Sequence, residues 1–141
     1  MPHLKDKIIK TFNSFDGTNL EHLNSFYSNE IIFEDPITKV IGLTNLKKYY
    51  AHAYKNVKSI RFDFSNIISD HLTYGASWEM HLCAKGLNQG NEFAVPGFTL
   101  LKFNDNELVS EHRDYFDLGA MVYEKLPIQG IIINTLKKFL K

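Results

Sequence analysis

The chain lacks the features that mark disulfide-stabilised, membrane-spanning or nucleic-acid-binding proteins. Its single cysteine, Cys83, cannot form an internal disulfide and fits a reducing compartment. Sixteen basic residues balance sixteen acidic ones, so no net positive charge attracts nucleic acid. No apolar run has the length of a transmembrane helix, and the N-terminal residues show no hydrophobic signal segment. We therefore expect a soluble, cytoplasmic protein without a nucleic-acid partner.

Sequence support for a metal or cofactor is also missing. The six histidines are scattered, and no pair shows an HxH or HExxH spacing. There is no glycine-rich phosphate loop and no nucleophile-elbow motif around a serine. We predict that the protein binds no metal and needs no cofactor.

The N-terminal third of the 141 residues predicts helices. In residues 3–15, apolar side chains recur at helical spacing, which indicates one amphipathic helix. A shorter helix is predicted from Leu20. A third helix, capped by Thr44, follows a short hairpin with strands at residues 31–35 and 39–41.

The rest of the chain mostly alternates apolar and polar residues, which is typical of half-buried strands. We predict long strands at residues 60–65, 72–85, 91–103 and 109–117, with a bulge or bend at Pro96-Gly97. With 44% hydrophobic residues the chain can fill the core of one domain. The element order predicts an α+β fold: a cone-shaped, curved antiparallel sheet wrapped around the N-terminal helices.

Residues 118–141 are predicted to form a C-terminal helical extension. A short helix is expected at residues 121–125, followed by an amphipathic helix with Lys137, Lys138 and Lys141 at its end, where they suit the helix dipole. A basic amphipathic helix can lie on a membrane. Packing on its own domain or on a partner subunit is the favoured interpretation, so we predict no membrane partner.

The strand at residues 109–117 holds the strongest candidate site. Neighbours in a strand point to opposite faces, so His112, Asp114 and Phe116 share one side. An aspartate in an apolar wall suits proton transfer next to a carbonyl, because apolar surroundings disfavour its charged form. The alternative is a salt bridge from Asp114 to a basic residue across the sheet.

An apolar pocket is expected beside this strand, and it would hold a small apolar molecule. Plain core packing is the alternative for each of its wall residues. The predicted lining residues are Trp78, Met80, Tyr74, Tyr50, Tyr54, Phe116 and Phe98.

Two sequence segments carry a family resemblance. The run from His112 to Asp117, followed by Leu126-Pro127, resembles the last strand and tail of the SnoaL-like group. The tripeptide Glu34-Asp35-Pro36 is similar to the one that carries the base of ketosteroid isomerases. This group shares the nuclear-transport-factor-2-like fold with polyketide cyclases and limonene-epoxide hydrolases, and the similarity in element order covers nearly the whole chain. It implies one domain over residues 1–141.

The resemblance also implies candidate catalytic residues and an assembly. It would make Asp114 a pocket-facing carboxylate, with His112 orienting it, and Asp35 a proton shuttle. In this fold the outer sheet face often meets a second subunit, so Glu79 and His81 are predicted contacts of a homodimer.

Three functions follow as hypotheses. The first is cofactor-independent, isomerase- or cyclase-type proton transfer on a small apolar carbonyl compound. The second is a limonene-epoxide-hydrolase-like activity, which needs Arg113 or Arg61 to point inward. The third is a non-catalytic domain that binds an apolar ligand or acts as a dimeric scaffold. The neighbourhoods that match the isomerase oxyanion donors hold Thr11-Phe12 and Thr99 here, and the hydrolase's Arg-x-Asp pair is absent.

Overall fold

A layer of helices lies against one face of a six-stranded sheet in the computed structural model, which describes residues 2–122, 125 and 127–141. The helical elements are α1 (Pro2–Ser14), a 3-10 helix (Leu20–Ser25), α2 (Leu43–Ala53), a second 3-10 helix (Asn88–Gly90), α3 (Leu118–Met121) and α4 (Pro127–Leu140). The strands are β1 (Tyr27–Glu34), β2 (Lys39–Ile41), β3 (Val57–Asp70), β4 (Thr73–Ala84), β5 (Phe93–Phe103) and β6 (Val109–Phe116).

The strands follow the order β2-β1-β6-β5-β4-β3 across the sheet. Strands β3 to β6 form the predicted antiparallel meander, and β1 pairs with β2 as the predicted hairpin. The pair between β1 and β6 is parallel, so the sheet is mixed at this one junction. The predicted class, an α+β fold with a curved sheet around N-terminal helices, is confirmed.

Helix α1 is held on the sheet by its apolar face. Leu4 and Ile8 are fully buried, and Phe12 packs against the same core. Burying each such side chain contributes about 1.5–3 kcal/mol. This core continues under α2 through Leu46 and meets Phe33 of β1. The apolar face predicted from the helical spacing is therefore the face that packs on the sheet and closes one side of the cone.

A second apolar cluster lies on the inner face of β4 and β5. Trp78, Met80 and Leu82 alternate along β4 and pack with Val95 of β5. Phe64 of β3 contacts both clusters and joins them. Helix α1 packs on β3, whereas the part of the sheet formed by this second cluster borders an open cavity.

Helix α2 begins earlier than predicted. Gly42, with φ +89°, is its N-cap, and the first helical residue is Leu43. The Gly42 amide donates to the Ile31 carbonyl (2.8 Å), while its own carbonyl accepts from Leu46 (3.0 Å). Glycine adopts this backbone conformation without strain. Thr44 therefore lies inside the first turn, and its predicted capping role is wrong.

A bulge or a bend was predicted at Pro96-Gly97, and the bulge is wrong. Strand β5 keeps one unbroken register with β4, in which Gly97 pairs with Trp78. Pro96 lies one residue before β5 gains β6 as a second neighbour, where a missing amide donor is tolerated. A Cβ atom on Gly97 would come within 2.1 Å of the Trp78 ring. Pro96 is therefore explained by its position where β5 has no neighbour on the β6 side. Gly97 is explained by the room that the Trp78 indole needs.

The C-terminal helices fall in two segments. Asp117 caps α3 by accepting a hydrogen bond from the Ala120 amide (3.2 Å), so this helix lies earlier than residues 121–125. Residues 123, 124 and 126 are outside the described part of the chain. The predicted last helix is present as α4, with Phe139 83% exposed. Within the described residues, every helix is too short or too polar to cross a bilayer.

Candidate functional site

An open cavity of about 400 Å³ lies between α2 and the inner face of the sheet. Its wall is mainly aromatic and aliphatic, and two carboxylates, Asp35 and Asp114, border it. Volumes of this order are usual for sites that hold small molecules. A second cavity of about 70 Å³ shares Tyr50, Tyr54, Phe62 and Asp114 with the first and extends toward α1. Asp114 therefore lies where the two cavities meet.

Asp114 is fixed through one carboxylate oxygen. The Thr99 hydroxyl donates to its Oδ1 over 2.6 Å, and His112 Nε2 lies 2.7 Å from the same atom. Trp78 Nε1 donates to the Thr99 hydroxyl oxygen over 2.8 Å. The indole N–H is a donor only, so the Thr99 oxygen accepts and its proton is free to go to Asp114. Three strands, β4, β5 and β6, thus hold one carboxylate.

His112 connects Asp114 to the helical layer. Its Nδ1 lies 2.7 Å from the Tyr27 hydroxyl, which lies 3.0 Å from the hydroxyl of Tyr50. Burial raises the pKa of Tyr27 and of Tyr50 well above the ordinary value, so both keep their protons. The tautomer of His112 that carries the proton on Nε2 can accept from Tyr27 through Nδ1 and donate to Asp114. Phe12 stacks on the imidazole at 5.7 Å.

This arrangement changes the expected character of Asp114. The sequence predicted either an apolar wall with His112 orienting the carboxylate or a salt bridge to a basic residue across the sheet. The observed partners are Thr99 and His112, which stabilise the carboxylate by hydrogen bonds at the edge of a mainly apolar cavity. Among the described residues, no side chain or amide bonds to Oδ2, the second oxygen. The Oδ1 atom of Asp114 is therefore fixed by hydrogen bonds, and its Oδ2 atom has no such bond to the described residues.

Asp35 borders the same cavity, but hydrogen bonds engage both of its carboxylate oxygens. Its Oδ1 accepts from the amides of Ile37 (2.8 Å) and Thr38 (2.9 Å), and its Oδ2 accepts from the Tyr49 hydroxyl. The amide bonds form an Asx-type turn that closes the β1–β2 hairpin. Burial and the hydrogen bond to Asp35 raise the pKa of Tyr49. Both oxygens of Asp35 are engaged, so its role as a proton shuttle stays a prediction.

Five of the seven predicted lining residues are on the cavity wall: Trp78, Met80, Tyr50, Tyr54 and Phe116. Tyr74 is not, because it lies four residues from Trp78 along β4 and packs edge-on against Phe103 in the closed core. Phe98 is not, because Thr99 faces inward and its strand neighbour must face outward. Its ring lies over Gly75 on the outer face. The lining assignments of Tyr74 and Phe98 are corrected accordingly.

Both arginines of the sequence lie on the outer surface. Arg61 pairs with Asp63 (3.2 Å), and its side chain is 57% exposed. Arg113 pairs with Glu34 (3.3 Å) and lies over the ring of Tyr115. Neither arginine borders the cavity that contains Asp114. The inward-pointing arginine that the epoxide-hydrolase hypothesis requires is not present.

The polar outer face of β4 makes contacts within the chain. His81 Nε2 lies 3.0 Å from Asp63 Oδ2 and 3.2 Å from Glu79 Oε1. No cluster of three or more potential metal ligands occurs in the described part of the chain. The homodimer predicted through Glu79 and His81 remains a prediction, which light scattering of the protein in solution can test.

Replacing Thr99 with Val should destabilise the protein and disturb the site together. Valine has nearly the same shape but removes the hydroxyl, so Trp78 Nε1–H loses its acceptor and Asp114 loses a donor. A buried polar group left without a partner costs about 1–3 kcal/mol. We expect a loss of about 2 kcal/mol in the free energy of unfolding, measured by urea denaturation.

The matched control for this change is Thr99→Ser, which keeps the hydroxyl and removes only a methyl group. It should retain the two hydrogen bonds and lose clearly less stability than the valine variant. Equal losses in both variants would assign the effect to packing and contradict the role given to the hydroxyl.

Comparison with known proteins gives a family and a fold. The family model for the SnoaL-like domain matches residues 8–112. A candidate SnoaL-like polyketide cyclase from Shewanella denitrificans OS-217 superposes with a TM-score of 0.73 at 22% identity, covering 85% of this chain and 92% of that one. A Catenulispora acidiphila DSM 44928 protein with a ketosteroid isomerase-like fold, in complex with trimethylamine, gives 0.74 at 18% identity, covering 90% and 95%. No curated protein matches the chain.

Proposed function

The chain belongs to the SnoaL-like domain family, and from this premise we propose that it is a cofactor-independent enzyme of isomerase or cyclase type. Its reaction would be proton transfer next to the carbonyl of a small apolar molecule. The observation that carries the proposal is the state of Asp114. One carboxylate oxygen is held by Thr99 and His112, while the other makes no hydrogen bond with the described residues and borders a mainly apolar cavity.

In the proposed step, Asp114 Oδ2 removes a proton from the carbon next to the carbonyl. The C–H bond breaks, an O–H bond forms on Asp114, and the electron pair moves to the carbonyl oxygen as an enolate. In an isomerisation the same carboxyl group then returns the proton to carbon. In a cyclisation the enolate carbon attacks a second carbonyl, a C–C bond forms, the electron pair of that carbonyl moves to its oxygen, and the resulting alkoxide takes the proton from Asp114. A positioned general base contributes about 100- to 10 000-fold to the rate of such a transfer.

His112 is proposed to position Asp114 rather than to meet the substrate. Both ring nitrogens are already engaged, one with Tyr27 and one with Asp114, and the residue is only 3% exposed. The imidazole is further held by stacking on Phe12. Catalytic groups whose own orientation is fixed in this way lose little freedom when the substrate binds.

The proposed activity can be tested without knowing the natural substrate. Ring ketones such as tetralone are incubated with the protein in heavy water, and the loss of the α-proton signal is followed by NMR. The proposal expects exchange faster than in buffer alone. Saturable binding without exchange would instead support a non-catalytic ligand-binding domain, and the absence of both would reject the cavity as a site for such molecules.

A further inference from the structure

One tyrosine hydroxyl at the cavity has no assigned partner. The hydroxyls of Tyr27 and Tyr50 bond to each other, and that of Tyr49 donates to Asp35. The hydroxyl of Tyr54 makes no hydrogen bond with any residue that the structure describes. Tyr54 nevertheless lines both cavities, as Asp114 does.

The Tyr54 hydroxyl is accessible from the cavity. Within the described part of the chain, the side-chain polar atoms that are buried from solvent and make no hydrogen bond are Ser28 Oγ and His81 Nε2, the second of which lies at ion-pair distance from Asp63 and Glu79. The Tyr54 oxygen is unpaired but does not belong to this set, so it is not sealed by protein atoms. Because the residue lines the cavities, that open space belongs to the site.

The ring of Tyr54 is held from several directions. It packs edge-on against Phe15 at 4.9 Å and against Tyr50 at 6.1 Å. Its backbone amide donates to the Tyr50 carbonyl at the end of α2 (2.9 Å). Gly17, with φ +87°, lies so close that an added Cβ would be 2.5 Å from Tyr54 Cβ. The hydroxyl is therefore presented by a side chain with little freedom to move.

We propose that Tyr54 donates the hydrogen bond that stabilises the oxygen of the bound carbonyl compound; this inference rests on the proposed function. When Asp114 Oδ2 takes the proton, negative charge develops on the carbonyl oxygen, and a fixed donor there lowers the barrier. Tyr54 supplies its O–H as a donor and keeps the proton. Burial and the nearby charge of Asp114 raise the pKa of Tyr54, which is consistent with this role.

The inference narrows the substrate class. The ligand must have an oxygen acceptor that reaches Tyr54 while its acidic carbon reaches Asp114, with an apolar body against Trp78 and Met80. A ring-sized ketone meets this description, whereas a hydrocarbon of the same shape lacks the acceptor. The cavity therefore selects for an oxygen atom as well as for apolar surface.

The test uses Asp114→Asn protein, in which the neutral side chain stands in for the protonated acid. Naphthol, whose ionised oxygen resembles an enolate, and naphthalene, which lacks the oxygen, are the probes. Adding Tyr54→Phe should weaken naphthol binding about 10- to 100-fold, the usual effect of losing a hydrogen bond to a charged group. Naphthalene binding should change by less than about twofold. The ionised fraction of bound naphthol, read from its absorbance, should fall.

Tyr115→Phe, on the outer surface, is the control and should change neither affinity. Equal weakening of both probes by Tyr54→Phe would show a packing role, and no weakening of naphthol would show that the hydroxyl does not reach the ligand. Either result overturns the inference and leaves the proposed base intact. Binding of neither probe would reject both. If Tyr54→Phe does not fold, equal affinity for naphthol and naphthalene in the Asp114→Asn protein overturns the inference.

Discussion

Asp114→Asn is expected to lower the rate of α-proton exchange about 1000-fold while leaving the fold intact. The amide cannot accept the proton as a carboxylate does. Its oxygen still accepts the hydrogen bonds from Thr99 and His112, so the surrounding network has a replacement for Oδ1. Exchange is measured by NMR in heavy water, ligand affinity by titration and stability by urea denaturation. Affinity and stability should stay close to those of the unchanged protein.

Asp63→Asn is the matched control, because Asp63 is an exposed carboxylate on the outer face that pairs with Arg61. It should leave the exchange rate unchanged. Normal exchange in the Asp114→Asn protein would remove Asp114 as the base. If Asp35→Asn alone stopped exchange, the base would instead be the carboxylate at the end of β1, and Asp114 would be a structural group.

The alternation of residues in β6 was sufficient to predict the part of the site that β6 itself contributes. His112 and Asp114 lie two apart in one strand, so their shared face follows from strand geometry alone. Their partners come from other strands: Tyr27 from β1 bonds to His112 and Thr99 from β5 bonds to Asp114, while Trp78 from β4 bonds to Thr99. No local pattern links residues that are 15 to 85 positions apart in sequence. The network therefore depends on strand pairing that a single sequence does not display.

Tyr27 illustrates why such a partner escapes sequence reading. It follows the apolar residues Leu20, Leu23 and Phe26 at helical spacing, which places it in the predicted second helix. The chain instead leaves the 3-10 helix at Ser25 and enters β1 at Tyr27. The parallel pairing of β1 with β6 then brings its ring to 5.8 Å from His112. A tertiary contact overrides the local preference here.

Gly97→Ala is expected to destabilise the protein by about 3 kcal/mol, at the upper end of the usual cost of overfilling a core. The new Cβ would meet Cη2, Cζ3 and Cζ2 of Trp78 at 2.1, 2.5 and 2.6 Å. The indole has little room to yield, because its Nε1–H is bonded to Thr99 and its ring packs edge-on against Phe62 at 5.1 Å. Urea denaturation measures the loss.

The same substitution in a Trp78→Phe background separates this clash from any other effect of removing the glycine. A phenyl ring lacks the second ring whose atoms the new Cβ would meet, so Gly97→Ala should cost less there. The double-mutant cycle should then show a coupling of more than about 1 kcal/mol. An equal cost in both backgrounds would assign the loss to the β5 backbone itself. Coupling would instead show that Gly97 makes room for the indole that binds Thr99, and through Thr99 helps to orient Asp114.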